Sequence, residues 1–316
     1  MTENNNDINN PHDTGYKSLL KSKKAFVQLI RSFSKTDWSK QVEETDLVLI
    51  DKTFILQDFQ NIEADIVYKA KIKDRDVIFY ILLELQSTVD FLMPYRLLLY
   101  MTEIWRDIFK NTDKNEANRK DFRLPVIVPM VLYNNDMPWT APVNFKDSLD
   151  SPELFEKHVL NFRYILINVH EYNKEELLEL ENLMGAVFLL DQAKDFEEII
   201  KYLKELAEIF QKMDEKEFRL FVNWGQNILT RGLSSNKQEE IKTILDNSRP
   251  KEVDDMITNV EKVLKKTYED AEKKGRKEAK KERDKEIAKL MLADEKSIDE
   301  IMKYTSLTKE EIENLK

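Results

Sequence analysis

Asp65, Glu84 and Gln86 are the side chains of this 316-residue chain whose types and spacing could do chemistry. Asp65 opens a limb over residues 65–72, and Glu84 and Gln86 close a second over 77–86. Both limbs are rich in Ile, Val, Tyr and Phe. The charged break at 73–76 predicts a β-hairpin. With Asp74 and Arg75 as a two-residue loop, Lys73 faces Asp76 and Asp65 faces Glu84. Facing carboxylates repel, so a hairpin built only for stability would avoid the pairing. A divalent cation reverses the sign, because Mg²⁺ takes oxygen ligands from carboxylates. Gln86, two residues past Glu84, shares its face of the strand. The cluster suits metal-assisted hydrolysis; the plainer alternative makes Asp65 and Glu84 the exposed ends of two strands. The apolar run 77–83 favours the first, since a charge that ends a buried run needs a partner.

Four blocks extend this pattern: HDTGYKSLL at 12–20, ADIVYKAKI at 64–72, ILLELQSTVDFLMPYRLLLYM at 81–101 and LPVIVPMVLYNNDMPW at 124–139. In order and spacing they resemble the PD-(D/E)XK nuclease superfamily in its recombination-promoting branch, the Rpn or YhgA-like transposase family. The resemblance covers roughly the first half of the chain. It implies an α/β fold, a restriction-endonuclease-like mixed sheet flanked by helices, followed here by an all-α lobe and a helical tail. It implies a Mg²⁺-dependent DNA endonuclease, with Mn²⁺ or Ca²⁺ as substitute ions, that cuts with low sequence specificity and promotes recombination. Asp65 and Glu84 would be the metal ligands and Gln86 the third catalytic residue. Asp13 would lie in an outer shell, or serve as a plain N-cap. Lys17, one helical turn on, is a candidate DNA-phosphate contact or a surface residue. The Arg96 guanidinium could bind a DNA phosphate, supply the charge of an absent Lys, or be an ordinary helix-surface Arg. Two positions depart from the wider superfamily: Ala64 stands where Pro often precedes the Asp, and Gln86, usual in this branch, stands where most members carry Lys.

Composition narrows the alternatives. The absence of cysteine excludes disulfides, thiolate zinc sites and cysteine nucleophiles. Three scattered histidines (His12, His158, His170) do not make a His-rich metal site, and five glycines without a Gly-rich loop argue against a phosphate-binding loop. The polar first ten residues and the lack of a long apolar run predict neither a targeting segment nor a membrane span, and hence a cytoplasmic protein. A net charge of −10 argues against nucleic acid. Locally, however, residues 14–40 carry seven Lys or Arg against Asp37.

Along the chain, residues 1–11 are predicted to be disordered. Asp13 or Thr14 then caps a helix carrying Tyr16, Leu19, Leu20, Phe26, Leu29, Ile30 and Phe33. One or two short strands are expected within 43–59 and a long helix over 90–109. A loop follows at 111–121, with strands at 124–133 and 162–169. These make a nuclease-like unit over 12–170. Acidic amphipathic helices at 175–190, 196–210 and 215–229 make a lobe over 171–250. Residues 251–316 read as a charged helix and a helix-turn-helix-like hairpin, with Ser306 or Thr308 capping its second helix. These C-terminal helices could support a homo-oligomer. They also suit the rival reading, a catalytically weak nuclease-fold scaffold acting through its lobe and tail.

Overall fold

Tyr68, Ala70, Phe79 and Ile81 are buried on one face of a sheet, and Val67, Ile78 and Tyr80 on the other, as the two-residue period of a strand requires. The computed structural model describes residues 11–50, 66–72, 75–84 and 89–315. Its sheet is mixed and five-stranded, in the order β1-β2-β3-β4-β5: β1 (Leu47–Leu49), β2 (Ile66–Ile72), β3 (Arg75–Glu84), β4 (Val126–Tyr133) and β5 (Ile165–Asn168). The first three strands are antiparallel, and β3, β4 and β5 run parallel.

The hairpin forms, but its register differs from the expected one. Ile72 pairs with Arg75 and Lys71 with Asp76, so residues 73 and 74, not 74 and 75, separate the strands. Charge explains the choice: Asp76 meets Lys71 across the ladder and forms a 2.8 Å ion pair with Lys69. The expected pairing of Lys73 with Asp76 is therefore not made. The expected pairing of Asp65 with Glu84 rests on Asp65, which lies outside the described residues.

Two helices, α1 (Pro11–Leu20) and α2 (Lys23–Phe33), pack on one face of the sheet. The sequence suggested a single helix begun by Asp13 or Thr14. Instead both residues lie within α1, and the helix ends at Leu20. The Tyr68 hydroxyl lies 3.0 and 2.7 Å from the carbonyls of Leu20 and Lys21, giving the helix end the donor it lacks. The opposite face is covered by α3 (Met93–Asn111) through Met93, Leu97, Tyr100, Met101 and Ile104. Within the expected loop at 111–121, Asp113 caps the short α4 (Lys114–Ala117).

The expected helix at 175–190 is two: α5 (Lys174–Glu179) and α6 (Leu183–Asp191), with Glu181 at φ 45° between them. They cross closely at Gly185, where a Cβ would lie 2.5 Å from the Leu177 carbonyl oxygen. The expected helix at 196–210 likewise divides at Leu206 into α7 (Phe196–Glu205) and α8 (Ala207–Lys212). After α9 (Glu215–Ile228) comes a helix that hydropathy did not signal, α10 (Ser235–Asp246), which buries only Ile241 and Leu245. One apolar cluster runs from α1 and α2 through the sheet face and α6 to α9 and the start of α11 (Val253–Ala293).

Helix α11 has 41 residues, about 60 Å at the usual rise. It is exposed from 268 to 283 and ends in a small second core, where Ala288 packs with Ile301, Leu307 and Ile312 of α12 (Ile298–Tyr304), α13 (Lys309–Glu313) and their link. Thr308 caps α13, while Ser306 donates its amide and hydroxyl to buried Asp284. Those two donors hold the Asp284 carboxyl below its ordinary range. Lys281, with the Thr308 amide and hydroxyl, holds Glu311 down at about 2. A depressed carboxylate stabilises above its ordinary value and loses that contribution as pH falls through the folded one. The tail is therefore expected to detach from α11 as pH drops from about 4.5 toward about 2. Hydrogen exchange at the Ser306 and Ile312 amides checks this: protection should vanish in acid, and in Asp284→Ala already near neutrality, while the central sheet stays protected.

Candidate active site at the carboxyl end of the parallel strands

The three parallel strands end in line: Glu84 pairs with Tyr133, and Tyr133 with Asn168. The carboxyl edge of such strands is where open α/β sheets bind ligands, because loops fan out there around unfilled space. Glu84 lies on β3, level with Tyr133 of β4. Its side chain lies outside what the structure describes, and so do Asp65, which immediately precedes β2, and Gln86. As a donor set the three offer only oxygen to a metal, which suits a hard divalent cation. Among the described residues, no group of three or more His, Cys, Asp or Glu could hold a metal.

Lys17 is half-buried on α1. Arg96 directs Nη1 at Asp90 Oδ2, 2.8 Å away, while Asp90 Oδ1 accepts the Leu92 amide at the turn into α3. The pair is partly buried on both sides.

A chain of polar side chains that sequence reasoning missed crosses the strand ends. The Tyr16 hydroxyl donates to Asp191 Oδ2 at 2.8 Å, and Asn134 Nδ2 donates to the same oxygen at 2.5 Å. Asn134 Oδ1 lies 3.0 Å from His170 Nε2, and His170 Nδ1 lies 3.1 Å from Asp136 Oδ1. Four elements place the five members: α1 places Tyr16, the turn after β4 Asn134 and Asp136, the turn after β5 His170 and the end of α6 Asp191. Tyr16 is fully buried, and burial, then the charge and hydrogen bond of Asp191, raise its hydroxyl well above the ordinary tyrosine range. The turn bearing Asp136 is fixed on both sides, since Asn135 Oδ1 accepts the Met137 amide and the Tyr133 hydroxyl donates to the Met137 carbonyl. Two of the four blocks quoted above contain Tyr16, Asn134 and Asp136, the one available sequence signal. Nothing in the sequence joined them to His170 and Asp191.

The family described as "Putative transposase, YhgA-like" matches residues 10–220. This chain belongs to that family. The match takes in the whole sheet and every member of the polar chain, and ends within α9, short of the tail. One similar protein is the inactive recombination-promoting nuclease-like protein RpnE of Escherichia coli strain K12, 22% identical over 180 residues, which are 57% of this chain and 56% of RpnE. The recombination-promoting nuclease RpnD of Escherichia coli O157:H7 is 22% identical over 170 residues, 54% of this chain and 62% of RpnD. The recombination-promoting nuclease RpnA of strain K12 is 20% identical over 305 residues, 96% of each. The YhgA-like chain thus spans less than two thirds of the length of RpnE and RpnD, and nearly all of RpnA. No solved structure matches it. Among the described residues, no helix is long and apolar enough to cross a membrane.

Proposed function

We propose that this YhgA-like chain is a cytoplasmic, Mg²⁺-dependent DNA endonuclease, with a PD-(D/E)XK core assigned to residues 12–170, whose cuts promote recombination. The observation that most supports this is the backbone position of Glu84, on a parallel strand and level with Tyr133 and Asn168 at the sheet's carboxyl edge. RpnD and RpnA are named recombination-promoting nucleases, which favours the same reading. Asp65 and Glu84 would hold Mg²⁺, or Mn²⁺ or Ca²⁺ in its place. When bound, such an ion stabilises charge on the scissile phosphate and makes a bound water more acidic. Gln86 orients the attacking water through its amide, which cannot serve as a general base. Lys17 and Arg96 are assigned to neighbouring phosphates, contacts that position DNA without reading it, so sequence specificity is low.

The name of RpnE, an inactive member, and the net charge of −10 favour a second reading, a nuclease-fold scaffold that acts through the lobe at 171–250 and self-associates through the tail at 251–316. Supercoiled plasmid separates the two. The wild type should nick or linearise it with Mg²⁺ and leave it intact with EDTA, and Asp65→Ala should leave it intact in both. No cleavage by the wild type, or equal cleavage by the variant, would transfer the assignment to the scaffold.

A further inference from the structure

The hydrogen bonds around His170 orient its ring between two acceptors. Asp191 can only accept, and it already receives the Tyr16 hydroxyl, so the Asn134 amide must turn its nitrogen to Asp191 and its oxygen to His170. His170 Nε2 must then donate. The other ring nitrogen faces the Asp136 carboxylate, another pure acceptor. Both ring nitrogens thus face oxygen atoms, Asn134 Oδ1 on one side and Asp136 Oδ1 on the other. The charged groups that face it are Asp136 directly, Asp191 through Asn134, and Glu171 next in the chain. The residues assigned to catalysis, Asp65, Glu84 and Gln86, include no cation. His170 is held against the end of β4, whose Tyr133 pairs with Glu84 across one strand spacing of about 4.8 Å.

The two sides of the ring differ. On the Nε2 side a chain of buried and half-buried groups reaches back to Tyr16 in the core. On the Nδ1 side Asp136 is 89% exposed, and its carboxylate is an anion presented from solvent. We propose that His170 Nδ1 is a DNA-phosphate contact of this site, that Asp136 occupies the contact when DNA is absent, and that Tyr16, Asp191 and Asn134 are positioning residues that aim the ring. The inference rests on the endonuclease reading for its choice of phosphate. A phosphate oxygen replaces the carboxylate oxygen in the same charge-assisted hydrogen bond. The exchange leaves the buried side of the network untouched and releases Asp136 to water. On a protein of net charge −10, an anion site filled by its own carboxylate admits only an anion that other contacts also hold.

Fluorescence anisotropy of a labelled DNA duplex, with EDTA present to prevent cleavage, tests this at about pH 6, below the ordinary histidine value. His170→Gln keeps a donor for Asn134 and removes the charge. It should weaken binding about 5- to 10-fold and lower the slope of log affinity against log salt by about 0.9, the share of one phosphate. His170→Lys should restore the slope. Asp136→Asn should tighten binding several-fold, but not in the His170→Gln background. Glu171→Gln, which removes the same charge from the next residue, should act alike in both backgrounds. An unchanged slope in His170→Gln, or equal tightening by Asp136→Asn in both backgrounds, would overturn the contact while leaving the nuclease reading intact. Failure of the wild type to bind DNA at all would overturn both.

Discussion

Glu84→Gln is expected to lower metal-dependent cleavage by at least about 10²-fold while leaving the fold intact. The substitution keeps the size of the side chain and its place at the end of β3 and removes only the charge, and a neutral amide is a far weaker ligand for a hard cation than a carboxylate. An ion held less well stabilises less of the charge that develops on the phosphate, a contribution worth several kcal/mol in metal-assisted hydrolysis. Stability should hold because β3 is fixed along its length by β2 on one side and β4 on the other. Gln86→Ala, which removes an orienting hydrogen bond and no ligand charge, should cost less, about 10- to 100-fold, as outer-sphere groups at metal sites do. Initial plasmid cleavage rates over a Mg²⁺ and Mn²⁺ series, with calorimetric titration of Mn²⁺, would check both variants. Unchanged cleavage and metal affinity in Glu84→Gln would detach the activity from this strand end.

Phe188→Ala is expected to destabilise the protein by about 3–5 kcal/mol, the range for loss of a buried aromatic side chain. Phe188 is fully buried, stacks on Phe33 of α2 with centroids 4.4 Å apart, and meets Tyr16 of α1 and Tyr172 each at 6.3 Å. It thereby holds α6 against the two N-terminal helices. Truncation leaves a cavity that three elements of the sheet-backed core cannot all move to fill. Because Asp191 ends the same helix, looser packing should also disturb the Tyr16–Asp191–Asn134 contacts and weaken DNA binding beyond what the unfolded fraction explains. Phe91, 62% exposed at the turn into α3, is the contrast: Phe91→Ala should stay within about 0.5 kcal/mol of wild type. Urea denaturation followed by circular dichroism would measure both. Equal, small effects would show that the α6 contact carries little of the stability.

The strands were legible because each is an apolar run: β2, β4 and β5 fall within segments that the sequence predicts, while β3 begins two residues earlier, at Arg75 inside the expected break. The hairpin register was not. The expected and observed registers differ by two residues, a shift that leaves every side chain on its original face, so hydrophobic patterning cannot distinguish them. The ion pair of Asp76 with Lys69 does. Helix ends were missed where a tertiary partner supplies the stop. Lys21 and Ser22 carry no strong terminating signal of their own, and α1 ends there because Tyr68, 47 residues on, brings its hydroxyl to the Lys21 carbonyl. Helix α10 was missed because two buried residues in twelve make a weak apolar stripe.

By itself the sequence determined the α/β class, the family blocks and the placing of Glu84 on a strand after an apolar run. All of these are encoded by local pattern, in which neighbours in the chain are neighbours in space. Only the tertiary structure decided that Tyr16, Asn134, Asp136, His170 and Asp191 form one chain of contacts. Tyr16 and Asp191 lie 175 residues apart, and no periodicity relates the turns after β4 and β5 to the end of α6. Parallel strands run to the same edge of the sheet, and that edge, not spacing in the sequence, brings the turns after β4 and β5 together where Tyr133 pairs with Glu84.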